Sequence, residues 1–183
     1  ETGRAARGSH VVNLLPIEKD EKISAMIRVD EVENDSYLVM VTRNGTIKRT
    51  ALSAYRNVRK GGIIAINLEE GDELAWVRNT TGGDELIIAT RNGVAIRFAE
   101  GDVRPMGRTA TGVRAIRLDE GDEVIAMATC EEGGYLLTVT ENGQGRRTPL
   151  EEYRTQNRGG RGVRNYDCVG KETMVAGVRV VGE

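Results

Sequence analysis

The stretch VTRNGTIKRT, Val41 to Thr50, sets an Asn-Gly pair between two short runs rich in residues that favour extended backbone. Asn44 and Gly45 both tolerate positive φ, so the pair reads as a type I′ turn closing a β-hairpin. The design recurs in ATRNGVAIRF (Ala89 to Phe98) and VTENGQGRRT (Val139 to Thr148), with turns at Asn92-Gly93 and Asn142-Gly143. The three turn glycines lie 48 and 50 residues apart. A hairpin repeated at a fixed spacing of this size is the mark of a repeat architecture.

Two further markers keep the same step. Acidic turns precede apolar runs at EKDEKI (Glu18 to Ile23), EEGDEL (Glu69 to Leu74) and DEGDEV (Asp119 to Val124), and a glycine recurs at Gly62, Gly112 and Gly162. A period of about 50 residues accommodates roughly four strands, the size of a propeller blade. Three nearly complete units cover 3–55, 56–103 and 104–153, and a partial unit without a hairpin covers 154–183. Since a closed propeller needs at least about four blades, the chain reads as an incomplete ring. The opening ETGRAARG carries no initiator Met and enters in mid-pattern, which points to a piece of a longer protein.

Composition agrees with an all-β chain. Phe and Trp occur once each in 183 residues, so Val, Ile and Leu must form the core. Runs such as Tyr37 to Val41 and Tyr135 to Val139 carry strand character, and no window holds a sustained helical period. Short helical turns are expected near Leu52 to Tyr55 and Leu150 to Tyr153. No apolar run reaches the roughly 18 residues of a membrane span. Cys130 and Cys168 are far apart, the only histidine is His10, and the five tyrosines fall in strands and turns. None of these groups suggests a metal, redox or catalytic site.

The net charge of −2 hides a segregation of signs. Arg4 and Arg7 lie in the first unit's opening loop, Arg56, Arg59 and Lys60 in the second, Arg104 and Arg108 in the third, and Arg154, Arg158 and Arg161 in the fourth. Acids crowd the GDE-type turns and the linkers DEVEND (Asp30 to Asp35) and CEEGG (Cys130 to Gly134). Stacked units would line the basic loops along one edge. The hairpins add Lys48, Arg49, Arg97, Arg146 and Arg147, which are either rim cations or ordinary solubilising residues on exposed strand faces. Glycine beside arginine suits phosphate, because glycine permits close approach and the guanidinium offers a bidentate fork. With no interleaved aromatics, duplex is the better partner than single strands. A protein-binding propeller and a repeat-built enzyme remain the alternatives.

These repeats, with RKGGIIAINLEEGDEL (Arg59 to Leu74), RPMGRTATGVRAIRLDEGDEV (Arg104 to Val124) and QNRGGRG (Gln156 to Gly162), closely resemble the C-terminal domain of the bacterial DNA gyrase A protein across essentially the whole chain. The resemblance implies a β-pinwheel, a propeller-like ring of about six blades that exchange hairpins and wrap duplex DNA on the outer rim. It implies negative supercoiling in partnership with the strand-passage domains of gyrase A and with the gyrase B protein, in the bacterial cytoplasm. No catalytic residue or cofactor is implied for this domain. The family's box, Q-x-R-G-G-x-G, is matched by Gln156, Arg158, Gly159, Gly160 and Gly162, with Asn157 and Arg161 at the variable places. In the family the main box belongs to the first blade, whereas this match lies in the last unit, so it implies a second, box-like loop. The related C-terminal domain of topoisomerase IV carries a more degenerate loop and is the nearest alternative.

Overall fold

The structure, a computed structural model, describes residues 4–10, 13–26 and 36–182. The linker Asp30 to Asp35 lies outside the described residues. Eleven strands follow in chain order among the described residues: β1 (Tyr37–Thr42), β2 (Thr46–Ala51), β3 (Leu74–Thr80), β4 (Glu85–Thr90), β5 (Val94–Ala99), β6 (Val113–Arg114), β7 (Val124–Thr129), β8 (Tyr135–Thr140), β9 (Gly145–Pro149), β10 (Val163–Arg164) and β11 (Val175–Val181). Short 3₁₀ turns follow the hairpins at Leu52–Tyr55, Glu100–Asp102 and Leu150–Glu152. The first and third match the sequence expectation; the turn at Glu100 has no counterpart in it.

The strands form three sheets with orders β3-β1-β2-β6, β10-β5-β4-β7 and β11-β8-β9. The first two antiparallel hairpins are thus flanked on both sides by strands that arrive later in the chain, and the third on its β8 side. The hairpin β4-β5 sits in sequence between β3 and β6, which both belong to the first sheet, and β8-β9 sits between β7 and β10 of the second. The exchange is that of a β-pinwheel, and the sheets do not close into a ring. No sheet is a contiguous segment of chain.

Stacking explains the run Leu86-Ile87-Ile88-Ala89. Leu86 and Ile88 pack with Val39, Val41 and Ile47 of the first sheet, whereas Ile87 and Ala89 pack with Leu136, Leu150 and Tyr153 of the third unit. A strand buried on both faces loses the usual alternation and reads as an unbroken apolar run. Each fully buried Leu or Ile side chain stabilises the stack by roughly 1.5–3 kcal/mol.

The hairpin turns differ from the type I′ expectation. Gly45 N–H donates to Thr42 O at 3.1 Å, and the same bond joins Gly93 to Thr90 and Gly143 to Thr140. The central turn residues are therefore Arg43-Asn44, Arg91-Asn92 and Glu141-Asn142, with glycine following. Only the glycines have positive φ, at 85°, 87° and 80°; the asparagines do not. This is a three-residue loop ending in a left-handed glycine. Two contacts select it. The Thr42, Thr90 and Thr140 hydroxyls accept the N–H of the residue after the glycine at 3.1–3.2 Å. In the first two hairpins an aspartate from the GDE turn accepts the asparagine N–H, Asp72 for Asn44 and Asp122 for Asn92, each at 3.0 Å.

The acids of these turns also pair with the hairpin tips. Arg43 bridges Glu73 and Glu123, and Arg91 bridges Glu123 and Glu141. The negative turns and the tip arginines therefore neutralise one another along one edge of the stack.

Candidate nucleic-acid interface

The basic loops lie along the outer edges of the hairpins. Residues 104–114 and 154–164 each leave a 3₁₀ turn, touch the hairpin's second strand, bulge away and return as a two-residue strand. Met106 N–H donates to Arg49 O and Gln156 N–H to Arg97 O, both at 2.8 Å. The returning strands pair Ile47 with Val113 and Ala95 with Val163. The bulges are consequently held at both ends, at equivalent places of successive sheets.

Each bulge also crosses the loop of the unit before it. Gly159 N–H donates to Ala115 O at 2.6 Å and Arg117 N–H to Gly160 O at 2.8 Å. Asn67 makes the corresponding contacts to Ala110 and, through its amide, to Thr109.

This framework sorts the sequence-expected cations. Lys48 and Arg49 are corrections: they are 0% and 7% exposed and cannot reach the surface with their charged ends. The Lys48 ammonium donates to Ala65 O and Arg108 O, beneath the crossing of two loops. Burial, with Arg108 nearby, lowers its pKa to about 8. Arg49 Nε donates to Val103 O at 2.7 Å and its guanidinium lies over the Tyr37 ring. Arg97, one hairpin on, pairs with Glu85 and donates to Leu150 O at 2.8 Å. The Glu85 carboxyl is held below its ordinary pKa by the Thr155 hydroxyl and by Arg97. Arg49 and Arg97 thus staple their sheets to the 3₁₀ turn of the next unit.

Arg108 and Arg158 are likewise committed to the protein. Arg108 donates to Ile64 O at 2.8 Å, and Arg158 donates to Arg114 O and Asp102 O, both at 3.0 Å. Arg158 is half-buried and clasps the preceding loop through Nε and one Nη, which leaves its other guanidinium donors uncommitted by these bonds. Two box glycines are explained within the protein. A Cβ at Gly162 would meet Ala95 O at 2.4 Å, so that glycine admits protein backbone, whereas at Gly159 the nearest contact, 3.4 Å from Arg114 O, is ordinary and the residue answers to its φ of 81°. Gln156 is half-buried and Asn157 exposed, while a Cβ at Gly160 would find only ordinary contacts.

Of the sequence-expected cations, Arg56, Arg59, Lys60, Arg104, Arg146, Arg147, Arg154 and Arg161 are exposed. Arg4 and Arg7 are exposed as well, in a segment without strand structure. Arg147 stacks over Tyr135 at 4.3 Å. Sequence reasoning passed over Arg114 and Arg164, which end the short edge strands β6 and β10 and are both exposed. Their signal was present as the repeated Gly-Val-Arg of Gly112 to Arg114 and Gly162 to Arg164. Burial pushes the Cys130 thiol up to about 11 and raises that of Cys168, so neither is a ready nucleophile. Among the described residues no three His, Cys, Asp or Glu side chains converge as a metal site.

Hairpin exchange between successive sheets defines the class as a β-pinwheel repeat domain, and comparison with known proteins gives the same class. The family described as DNA gyrase C-terminal domain, beta-propeller, matches residues 1–30, 36–81, 84–131 and 134–181, and the chain belongs to this family. The DNA gyrase A protein of Clostridium acetobutylicum is 55% identical over 113 residues, and that of Halalkalibacterium halodurans 57% identical over 113 residues. Each match covers 62% of this chain and 14% of the relative. Among solved structures, the C-terminal domain of DNA topoisomerase IV superposes with a TM-score of 0.87 at 31% identity, covering 95% of this chain and 55% of that one. The DNA gyrase A C-terminal domain superposes with a TM-score of 0.83 at 26% identity, covering 97% and 60%.

Proposed function

We propose that this domain binds duplex DNA without sequence preference and wraps it along the edge loops, as the C-terminal part of a DNA gyrase A protein. The observation that carries the reading is the placement of exposed arginines in equivalent loops: Arg56, Arg104 and Arg154 each closely follow the 3₁₀ turn, and Arg114 and Arg164 end the edge strands. Three acids, Glu73, Glu123 and Glu141, are paired with the hairpin-tip arginines Arg43 and Arg91. A duplex following this edge meets cations at every unit and releases condensed counterions at each neutralised phosphate. Bending 20 to 30 base pairs costs on the order of 1–6 kcal/mol, which regularly placed contacts can offset one by one. Binding by charge needs no cofactor.

In the parent enzyme such a wrap fixes the hand of a DNA crossing. The strand-passage domains of the same protein, with gyrase B hydrolysing ATP, then convert it into negative supercoils in the bacterial cytoplasm. A second reading, the corresponding domain of topoisomerase IV, is favoured by the TM-score of 0.87. Filter binding with random duplex at two salt concentrations tests the proposal. Affinity should fall steeply with salt, and absent or salt-insensitive binding overturns it. A protein-binding propeller would give that negative result.

A further inference from the structure

We infer that Arg114 and Arg117 form a phosphate site in a groove beside the first hairpin tip, and that the box-like loop, residues 156–162, serves DNA binding by holding those two arginines in place. This site deepens the duplex-binding reading, on which it rests.

The groove lies between the tip residues 44–46 and the segment 112–118, with Glu69 at its border. It recurs one unit on, where Asn92, Val94, Asp119 and Cys168 take the places of Asn44, Thr46, Glu69 and Leu118. The first groove is followed by two further sheets and the second is preceded by one, so the groove belongs to the repeat and not to either end of the chain. Their volumes are similar, about 650 and 630 Å³, so the difference between them is chemical. Three carboxylates, from Asp119, Glu141 and Glu172, border the second groove, and no arginine or lysine among the described residues does. Arg114 and Arg117 border the first, against the single carboxylate of Glu69. The counterpart of Arg117 one unit on is Asp167.

Both arginines are exposed, and neither guanidinium has a hydrogen-bond or ion-pair partner among the described residues. Their backbone, in contrast, is fixed on two sides. On the hairpin side, Arg114 pairs with Thr46, and Ala115 N–H donates to Gly45 O at 2.8 Å. On the other side the box-like loop grips the same four residues. Arg158 Nη1 donates to Arg114 O at 3.0 Å, Gly159 N–H to Ala115 O at 2.6 Å, and Arg117 N–H to Gly160 O at 2.8 Å. Three box residues are thus bonded to the stretch that carries both arginines.

Two like charges facing one groove, with no partner of their own, suit an anion that lies between them. A phosphate accepts from the guanidinium forks, and the Thr46 hydroxyl and the Asn44 side-chain amide border the same groove as further donors. Because the backbone is already held on both sides, phosphate binding orders little more than the two side chains. The groove opens between the hairpin tip and the edge strand. A duplex is therefore drawn toward the tips at the first joint and kept from them by three carboxylates at the second.

The experiment is the affinity for random duplex over a series of salt concentrations. Changing Arg114 and Arg117 together to Ala should lower the slope of log affinity against log salt by about 1.8, and Arg117→Ala alone by about 0.9. Arg179→Ala removes an exposed arginine from β11, at the opposite edge of its sheet from β9, and should leave the slope unchanged. Arg158→Lys keeps a positive charge but cannot span Asp102 O and Arg114 O as the guanidinium does. It should lower affinity several-fold in the wild-type background and hardly at all when Arg114 and Arg117 are already Ala. Thermal unfolding checks that binding is read on folded protein. A wild-type slope in the Arg114 and Arg117 variant, beside a steep slope for the wild type, overturns the site. A full loss from Arg158→Lys in both backgrounds assigns that arginine to DNA directly and overturns its holding role. Wild type that fails to bind duplex overturns the wrapping proposal itself, so the two failures are told apart.

Discussion

The β2 and β5 edges and the β9 edge carry the same sequence pattern in opposite states. On β2 and β5 the arginine four residues past the turn glycine is bonded to a carbonyl of the next unit, and the glycine is covered. On β9 the equivalent arginine and glycine are open. Arginine and glycine in this repeat are therefore joint residues first. Which of them face a ligand depends on whether a neighbouring unit has docked.

Substitutions at matched positions sharpen this contrast. The largest difference is expected at the turn glycines. Gly93→Ala and Gly143→Ala both impose positive φ on a side chain, costing about 1 kcal/mol. Only Gly93→Ala also drives a Cβ into Tyr166 O. Thermal unfolding should show Gly93→Ala several kcal/mol less stable and Gly143→Ala lowered by only about 1 kcal/mol; equal losses would break the comparison. Next come the staples. Arg97→Ala removes bonds from a charged donor to Glu85 and Leu150 O and should cost about 1.5–3 kcal/mol, against less than about 0.5 kcal/mol for Arg147→Ala. Urea titration of the two variants decides it.

A third pair lies within the box-like loop. Arg158→Ala breaks the clasp on Asp102 O and Arg114 O and should lower stability by about 1–3 kcal/mol. Arg161→Ala should leave stability within about 0.5 kcal/mol and reduce the salt slope of DNA binding by about 0.9. If both lower DNA affinity and neither lowers stability, the division between clasp and rim is wrong.

The smallest effect concerns Lys48. Its folded pKa of about 8 lies below the ordinary 10.5, so between these values the unfolded chain binds more protons. This group's contribution to stability should rise as pH increases from about 8 to about 10.5, and be lost as pH falls through about 8. Lys48→Ile, the residue found one unit on at Ile96, should flatten that rise. An unchanged pH profile would show that the buried ammonium is not the cause.

Much of the fold was legible because spacing survives in sequence. The hairpins at Gly45, Gly93 and Gly143 and the edge glycines Gly112 and Gly162 keep a period of about 50 residues, as sheets built from equivalent parts require. The turn type was misread because Asn-Gly is compatible with two loops. The choice between them rests on a threonine hydroxyl and on an aspartate 28 or 30 residues away. The site was harder to read. The partners of Arg49, Arg97 and Arg158 are backbone carbonyls 54, 53 and 44 residues distant, and a carbonyl has no side-chain signature. Arg114 and Arg164 were missed because their exposure follows from pairing at a sheet edge, which spacing alone does not reveal.

The central claim is that the exposed edge cations, and not the hairpin-tip or joint arginines, hold duplex DNA. Its most direct measurement is the affinity for random duplex over a series of salt concentrations, for wild type, for Arg104, Arg154 and Arg161 all changed to Ala, and for Arg43 and Arg91 both changed to Ala. The edge variant should lose at least about tenfold in affinity at low salt, and its slope of log affinity against log salt should fall by about 2 to 3. The tip variant should keep the wild-type slope, because Glu73, Glu123 and Glu141 already neutralise those arginines. An edge variant that binds with the wild-type slope, or a tip variant that loses as much as the edge variant, would contradict the account.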